Sequence, residues 1–215
     1  MKKVVTIISA IILISSTLYS QSAFDYGLKI SLASSSIGAT DTKDPGFFDP
    51  SEYYKGNSIN PSIGFFLNYN LTSNLILETE LSYLPKGSRK TMEVRVATSQ
   101  EPDGTKNSFY TTAIDLRYLE LGLNVKPTLQ FGDTPAYLIL GVAANYALNA
   151  IYVIKDGRKD FLFSYKMGIG CKTDKLLSMP LYFEIKYTGD LTYFYGYEYA
   201  KLWNRVFLLS LGINI

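Results

Sequence analysis

The sequence contains no histidine, a single cysteine and, beyond its first twenty residues, no apolar run of transmembrane-helix length. Without histidine the chain cannot build a Ser-His-acid triad, a Cys-His pair or a histidine-rich metal site. With Cys171 as its one thiol it cannot form an intramolecular disulfide. A net charge of +2 is too small to indicate a nucleic-acid partner. These absences leave structural or binding roles, and chemistry by pairs of carboxylates, as the classes still open.

The first twenty residues do contain an apolar run. Lys2 and Lys3 give a positive start, Val4–Leu18 is apolar but short for a bilayer span, and Ser20 offers a small residue for cleavage. This order of features is typical of a secretory signal peptide. We therefore predict a cleaved signal peptide at residues 1–20 and an exported domain at 21–215. A retained anchor is the alternative, although no stop-transfer pattern follows.

Alternation of apolar and polar side chains is the dominant pattern in the rest of the chain. In LILETELSYLP, residues 75–85, Leu77 and Leu81 alternate with Glu78 and Glu80. Successive side chains of a strand point to opposite faces, so this segment predicts a strand with one apolar face and one face that carries two carboxylates. Heavy use of tyrosine (18) and phenylalanine (12) also favours β structure.

The alternation recurs and predicts eight strands of roughly ten residues, the length that a tilted strand needs to cross a bilayer. The apolar positions of these strands begin at Phe24, Ile59, Leu75, Leu119, Leu138, Phe161, Leu181 and Phe207. Ile114 and Leu116 are apolar on the opposite parity from Leu119. A β-bulge near Arg117–Tyr118 would absorb that change.

The connections between these segments alternate in length. The short ones are 70–74, 130–135 and 173–180, and the longer or more polar ones are 34–58, 87–110, 152–160 and 188–204. Short turns at one end and long loops at the other, with both termini at the short end, are typical of an even-stranded outer-membrane barrel. A soluble sandwich has no reason to sort its loops in this way.

Charge placement indicates that lipid covers the apolar face. Charges of both signs share the polar parity, where glycines and small residues accompany them, as suits a narrow lumen. These charged residues are Lys29, Glu78, Glu80, Glu120, Lys126, Lys166, Glu184 and Lys186. A charge on the lipid side costs about 2–4 kcal/mol at mid-bilayer, so confinement to one parity is expected. Arg205 breaks the rule, and we expect its stem to snorkel from a strand end.

Aromatic residues on the apolar parity mark the ends of the predicted strands. They are Phe24, Tyr26, Tyr69, Tyr83, Tyr187 and Phe207. Aromatic girdles at both interfaces are a feature of outer-membrane barrels. These side chains are therefore expected to form the two girdles.

Several segments resemble one known family. They are ELSYLPKGS (80–88), IDLRYLELGLNVKP (114–127), YLILGVAANYAL (137–148), FEIKYTGDLT (183–192) and the closing FLLSLGINI. Over essentially the whole exported part, the chain resembles the PorT-like outer-membrane β-barrel family of Bacteroidota. The resemblance implies an eight-stranded barrel of OmpA-like architecture. It also implies a link to type IX secretion through the namesake of the family, whereas most members have no assigned activity.

The lumen carboxylates are the candidate chemical site. Glu78 and Glu80 share a face, and Glu120 or Glu184 is expected across the lumen. Carboxylates that share a site can supply a general acid, but paired with lysines they form a structural plug, and the plug is the expected arrangement.

The loops offer two further candidates. Asp41, Asp44, Asp49 and Glu52 have oxygen ligands, but their spacing matches no calcium-binding loop, so a solvated loop is expected. The loop 188–204 is rich in aromatic residues. These are Tyr193, Phe194, Tyr195, Tyr197, Tyr199 and Trp203. Such a group either anchors a protein or glycan partner or continues the barrel rim. Cys171 falls on the lipid parity and is expected to be inert.

The sequence thus predicts an all-β, eight-stranded antiparallel outer-membrane barrel with a structural or interaction role. No catalytic, cofactor-binding or metal-binding residue is assigned, and no cofactor is expected. The expected partners are outer-membrane lipid and, through the loops, an envelope or surface protein or glycan, for a monomeric chain. Two alternatives stay open: an outer-membrane enzyme that acts on lipid or glycan through lumen or rim carboxylates, and a soluble periplasmic β-barrel binding protein. A passive channel is disfavoured, because eight strands enclose room only for side chains.

Overall fold

The computed structural model describes an antiparallel sheet of nine strands. The described residues are 24–41, 56–97, 105–131, 134–151, 159–173, 179–197 and 200–215. The strands are β1 (Phe24–Asp41), β2 (Asn57–Thr72), β3 (Leu75–Ala97), β4 (Thr105–Phe131), β5 (Thr134–Ile151), β6 (Phe161–Thr173), β7 (Leu181–Asp190), β8 (Tyr195–Tyr197) and β9 (Ala200–Asn214). The predicted signal peptide lies outside these residues. Within them, no helix has the length and apolar character needed to cross a membrane.

Pairing of the first strand with the last closes the sheet into a barrel. Each strand from β1 to β7 pairs with the next, β7 pairs with β9, and β9 returns to β1. Leu28, for example, lies between Phe65 of β2 and Ile213 of β9. β8 pairs with β9 alone, at the long-loop end. Eight strands therefore form an antiparallel up-and-down barrel with no open edge, which confirms the predicted fold class.

Alternate side chains of each strand face the lumen and the outer surface, as the sequence predicts. On the outward parity Ile30 is 63% exposed, Leu121 54% and Leu209 59%. Their inward neighbours Glu120 and Ser210 are buried. The outward apolar belt has no protein covering it and faces lipid in an outer-membrane barrel.

The irregularity expected near Arg117–Tyr118 is present, but its consequence is different. Arg117 pairs with Asn149 and Tyr118 with Ala147, so the extra residue belongs to β5. β4 keeps a single parity, and the inward Ile114 and Leu116 are buried. The bulge therefore does not bring Ile114 and Leu116 to the outward face, and both belong to the apolar residues that line the lumen towards the long loops.

Several strands extend beyond the predicted boundaries. β3 has 23 residues and β4 has 27, in place of about ten. The interval between strands is 98–104 where 87–110 was predicted, 42–56 where 34–58 was predicted, and 191–199, with β8 inside it, where 188–204 was predicted; β5 and β6 leave 152–160 between them, as predicted. Ladder hydrogen bonds need no apolar side chains, so pairing continues beyond the lipid-facing part of the strands. At the opposite end the intervals between strands are 73–74, 132–133 and 174–180, and the turn at 73–74 lies within the described residues.

Aromatic side chains cluster at both ends of the lipid-facing belt. Near the short turns the Phe24 and Tyr69 rings lie 4.8 Å apart. Near the long loops Tyr187 lies 4.9 Å from Phe207. Arg205 comes two residues before Phe207 in the chain and is exposed. Since β9 begins at Ala200, Arg205 lies within the strand and not at its end.

Candidate functional site

The eight charged residues predicted to share the lumen do meet there. Each of them is buried, and four lysines face four glutamates: Lys29, Lys126, Lys166 and Lys186 with Glu78, Glu80, Glu120 and Glu184. They come from β1, β3, β4, β6 and β7, whose inward side chains converge because the barrel is closed. The formal charges of the group cancel, as burial of so many ions requires.

Four of these residues form a compact ring. Lys29 Nζ lies 2.6 Å from Glu78 and 3.0 Å from Glu184. Lys126 Nζ lies 2.5 Å from Glu78 and 2.6 Å from Glu184. The Tyr137 hydroxyl donates to Glu184 Oε1 over 3.0 Å. Every charge in the ring thus has two partners of opposite sign.

The other four charges attach to this ring or lie beside it. Lys186 Nζ is 2.8 Å from Glu80 and 3.3 Å from Glu184, which links Glu80 to the ring. Lys166 Nζ is 2.6 Å from Glu120 and forms a separate pair. Gly122 makes room for this ammonium group, because a Cβ there would lie 2.7 Å from Lys166 Nζ.

Three of the carboxylates are close enough to hold a metal ion in principle. The ligand oxygens of Glu78, Glu80 and Glu184 lie within 4.8 Å of one another. The ammonium groups of Lys29 and Lys126 already supply positive charge at hydrogen-bonding distance from this group. The arrangement therefore fits an internally compensated ion cluster better than a metal centre.

Apolar layers enclose the charge network at both ends. Towards the short turns lie Phe66, Ile139, Tyr137 and Tyr182. Two lysines stack on this floor: Lys29 Nζ is 4.9 Å from the Phe66 ring centre, and Lys126 Nζ is 4.8 Å from that of Tyr137. Towards the long loops lies the lumen cap, formed by Ile37, Ile114, Leu116, Tyr118, Ala147, Leu162, Phe194 and Leu202. The network is thus separated from water on both sides.

One further buried ion pair was not predicted from the sequence. Lys86 Nζ lies 3.0 Å from Asp190 Oδ1, and both side chains are almost fully buried. Ser164 Oγ donates to Asp190 Oδ1 over 2.8 Å, and Asn204 Nδ2 donates to Asp190 Oδ2 over 2.7 Å. The sequence pattern could have placed both residues in the lumen, since each continues the inward parity of its strand. The pair was missed because Asp190 was predicted to lie in a loop.

The aromatic segment predicted as a loop divides between inside and outside. Phe194 is 1% exposed and belongs to the lumen cap. Trp203 lies on the outer wall over Gly38, where a Cβ would be 2.5 Å from the indole nitrogen. Tyr195 and Tyr197 stand in β8, and Tyr199 lies outside the described residues. Continuation of the barrel wall therefore accounts for part of the group.

The remaining candidates from the sequence are the acidic residues of the loop 34–58 and Cys171. Asp44, Asp49 and Glu52 are outside the described residues, and Asp41 ends β1. Cys171 is a free, partly buried thiol on the outward parity.

Comparison with known proteins identifies the class of this barrel. Residues 6–214 match the family model of the outer membrane protein beta-barrel domain, so the chain belongs to that family. It is an outer-membrane protein. No curated protein sequence matches it.

Solved structures of other barrels are similar to the chain at low identity. The attachment invasion locus protein Ail of Yersinia pestis is 12% identical, with 89% of this chain and 99% of that chain covered and a TM-score of 0.39. Neisserial surface protein A is 10% identical, with 87% and 97% covered and a TM-score of 0.45. The outer membrane protein AlkL is 15% identical, with 91% and 92% covered and a TM-score of 0.47.

Proposed function

We propose that this barrel is a non-enzymatic structural or interaction protein that presents its long-loop end outside the cell. The observation that carries the proposal is the lumen: its glutamates are each within ion-pairing distance of a lysine, between two apolar layers. A general acid or base must reach its substrate within hydrogen-bonding distance. An enclosed and internally paired carboxylate offers no such approach.

The same observation argues against transport through the lumen. An eight-stranded barrel has an interior that side chains can fill, and large side chains such as Tyr118, Tyr182 and Phe66 occupy this one. The remaining role for the long-loop end is therefore an interaction made by its loops. The likeness to the PorT-like family supports a place for the protein as an accessory of secretion or envelope assembly.

The proposed interaction surface is residues 195–199 of the aromatic segment. Asp190, Phe194 and Leu202 are buried and serve the fold. Residues 195–199 contain three tyrosines, two of them in β8, which pairs with β9 alone. Tyrosine is enriched among the residues that dominate binding at protein interfaces.

Replacement of residues 195–199 by an equally long Gly/Ser segment tests the proposal. We expect the variant to insert and to keep heat-modifiable gel mobility, because the closed strand ladders are retained. Cross-linking on intact cells followed by mass spectrometry should show loss of the partner that the wild type captures. The matched control replaces 98–104 in the same way and should keep that partner.

An enzymatic role would give a different result. If the wild type released products from outer-membrane lipid or glycan, and Glu120→Gln abolished that release in a folded barrel, the proposal would be overturned.

A further inference from the structure

The outer wall beyond one aromatic girdle carries basic side chains. Along β9, Lys201 and Arg205 are exposed on the outward parity, with Trp203 between them. Phe207 follows on the same face and belongs to the girdle, where Tyr187 lies 4.9 Å from it and 6.0 Å from Tyr165. Aromatic girdles lie at the level of the lipid headgroups. The basic side chains therefore stand at, or just outside, the headgroup layer of the outer leaflet.

A third cation joins them across the sheet. Lys159 Nζ lies 3.7 Å from the ring centre of Tyr193, and Lys201 Nζ lies 5.5 Å from the same ring. The tyrosine thus stands between two ammonium groups from chain segments on either side of it. This geometry brings two positive charges together on one face of the barrel, which costs energy unless an anion or solvent offsets it.

Backbone hydrogen bonds hold this arrangement in place. Phe194 N donates to Leu202 O over 2.9 Å, and Lys159 N donates to Phe194 O over 2.9 Å. The Phe194 side chain is buried in the lumen cap, whereas the ring of its neighbour Tyr193 lies beside the exposed Lys159 and Lys201. The three segments that carry the cations and the ring are therefore joined as neighbouring strands are.

The described residues give the cations of this cluster no carboxylate partner. Within the part of the chain that the structure describes, Lys159, Lys201 and Arg205 form no ion pair. Exposed Arg117, in contrast, lies 3.2 Å from Asp115. Three positive charges at headgroup level, with no ion pair among the described residues, are suited to anions that the membrane itself supplies.

We propose that Lys159, Lys201 and Arg205 bind the phosphate groups of a phosphorylated glycolipid of the outer leaflet. Tyr193 positions the two ammonium groups, and the indole of Trp203 lies between Lys201 and Arg205 on the same outward parity. Phosphate accepts charge-assisted hydrogen bonds from both guanidinium and ammonium groups. The site lies on the outer wall beside the loop surface proposed above, since Lys201 pairs with Gly196, but the two share no residue.

Native mass spectrometry of the folded, detergent-solubilised barrel tests the proposal. The probes are lipid A with two phosphates and the same lipid with both phosphates removed. We expect the wild type to bind the phosphorylated lipid more tightly, and each change of Lys159, Lys201 or Arg205 to glutamine to weaken that binding about fivefold. The triple variant should lose on the order of a hundredfold. Arg117→Gln is the matched control, an exposed cation that already has a partner, and should bind as the wild type does.

Three results would overturn the proposal. The first is equal affinity for the two lipids, which would assign binding to the acyl chains. The second is an equal loss in Arg117→Gln, which would make the attraction a property of total charge. The third is displacement of bound lipid A by millimolar inorganic phosphate, which would make the site one for free anions. Retained heat-modifiable mobility of the triple variant shows that a loss of binding is not a loss of fold.

Discussion

Glu120 and Lys166 form the simplest ion pair of the lumen. Their side chains are 2% and 1% exposed, and the Nζ–Oε1 distance is 2.6 Å. Glu120 Oε2 has no hydrogen-bond partner, so this carboxylate depends on Lys166 for much of its compensation. Removal of one member of a buried pair leaves a desolvated charge, whereas removal of both leaves none.

At this scale we expect Lys166→Met to lower the free energy of unfolding by about 3–5 kcal/mol. The double change Lys166→Met with Glu120→Gln should be clearly less destabilising, because no lone carboxylate remains. Urea unfolding in lipid vesicles, followed by the fluorescence of Trp203, the single tryptophan, measures both values.

Arg117→Met is the control for Lys166→Met, because it breaks an ion pair at the surface. Its pair with Asp115 is more than two-fifths exposed on both sides, and exposed pairs contribute about 0–1 kcal/mol. If Lys166→Met with Glu120→Gln were as unstable as Lys166→Met alone, packing and not charge compensation would set the loss of unfolding free energy.

β9 is the element on which closure depends. It pairs with β7 on one side and with β1 on the other, and its outward residues Phe207, Leu209 and Leu211 are all exposed. An exposed apolar row is stable on a barrel wall only where lipid covers it. The same strand turns Leu208 and Ser210 into the lumen.

A charge on this row tests the lipid-facing assignment. Leu209→Arg is expected to cost about 2–4 kcal/mol if the residue lies near the midplane of the bilayer, and to reduce the amount of folded barrel in membranes sharply. Heat-modifiable gel mobility of membrane fractions measures the folded share. Leu209→Ala is the control and should insert.

Release of the wild type by osmotic shock, with equal mobility of heated and unheated samples, would contradict membrane insertion. It would return the soluble periplasmic barrel to consideration.

The whole molecule is a barrel filled in layers. An aromatic floor, a neutral network of eight charges, the Lys86–Asp190 pair and an apolar cap follow one another from the short turns to the long loops. Each apolar layer keeps water from the charges, and each charge keeps its partner in a fixed place. The consequence is a closed interior.

We therefore expect no stable conductance of porin size when the purified wild type is reconstituted into planar bilayers. Large side chains fill an eight-stranded interior and leave no continuous path for ions. A porin reconstituted in the same bilayers is the positive control. Steady, large conductance steps from the wild type would show that the lumen opens.

Alternation along the chain was enough to predict much of this structure. Which side chains face inward is a local property of a strand, because successive residues point to opposite faces. Glu78 and Glu80 were therefore placed in the lumen correctly, as were their lysine partners. The number of strands and the antiparallel order also followed from the pattern and its turns.

The sequence by itself determined the parity, the class of barrel and the set of charges that share the lumen. Tertiary structure alone decided that Lys29 and Lys126 bridge Glu78 to Glu184, that Lys86 meets Asp190, and that Ile114 stays inside. These contacts join strands that are far apart in the chain. They depend on strand register and on closure of the barrel, which set which inward side chains share a level, and neither is a local property of the sequence.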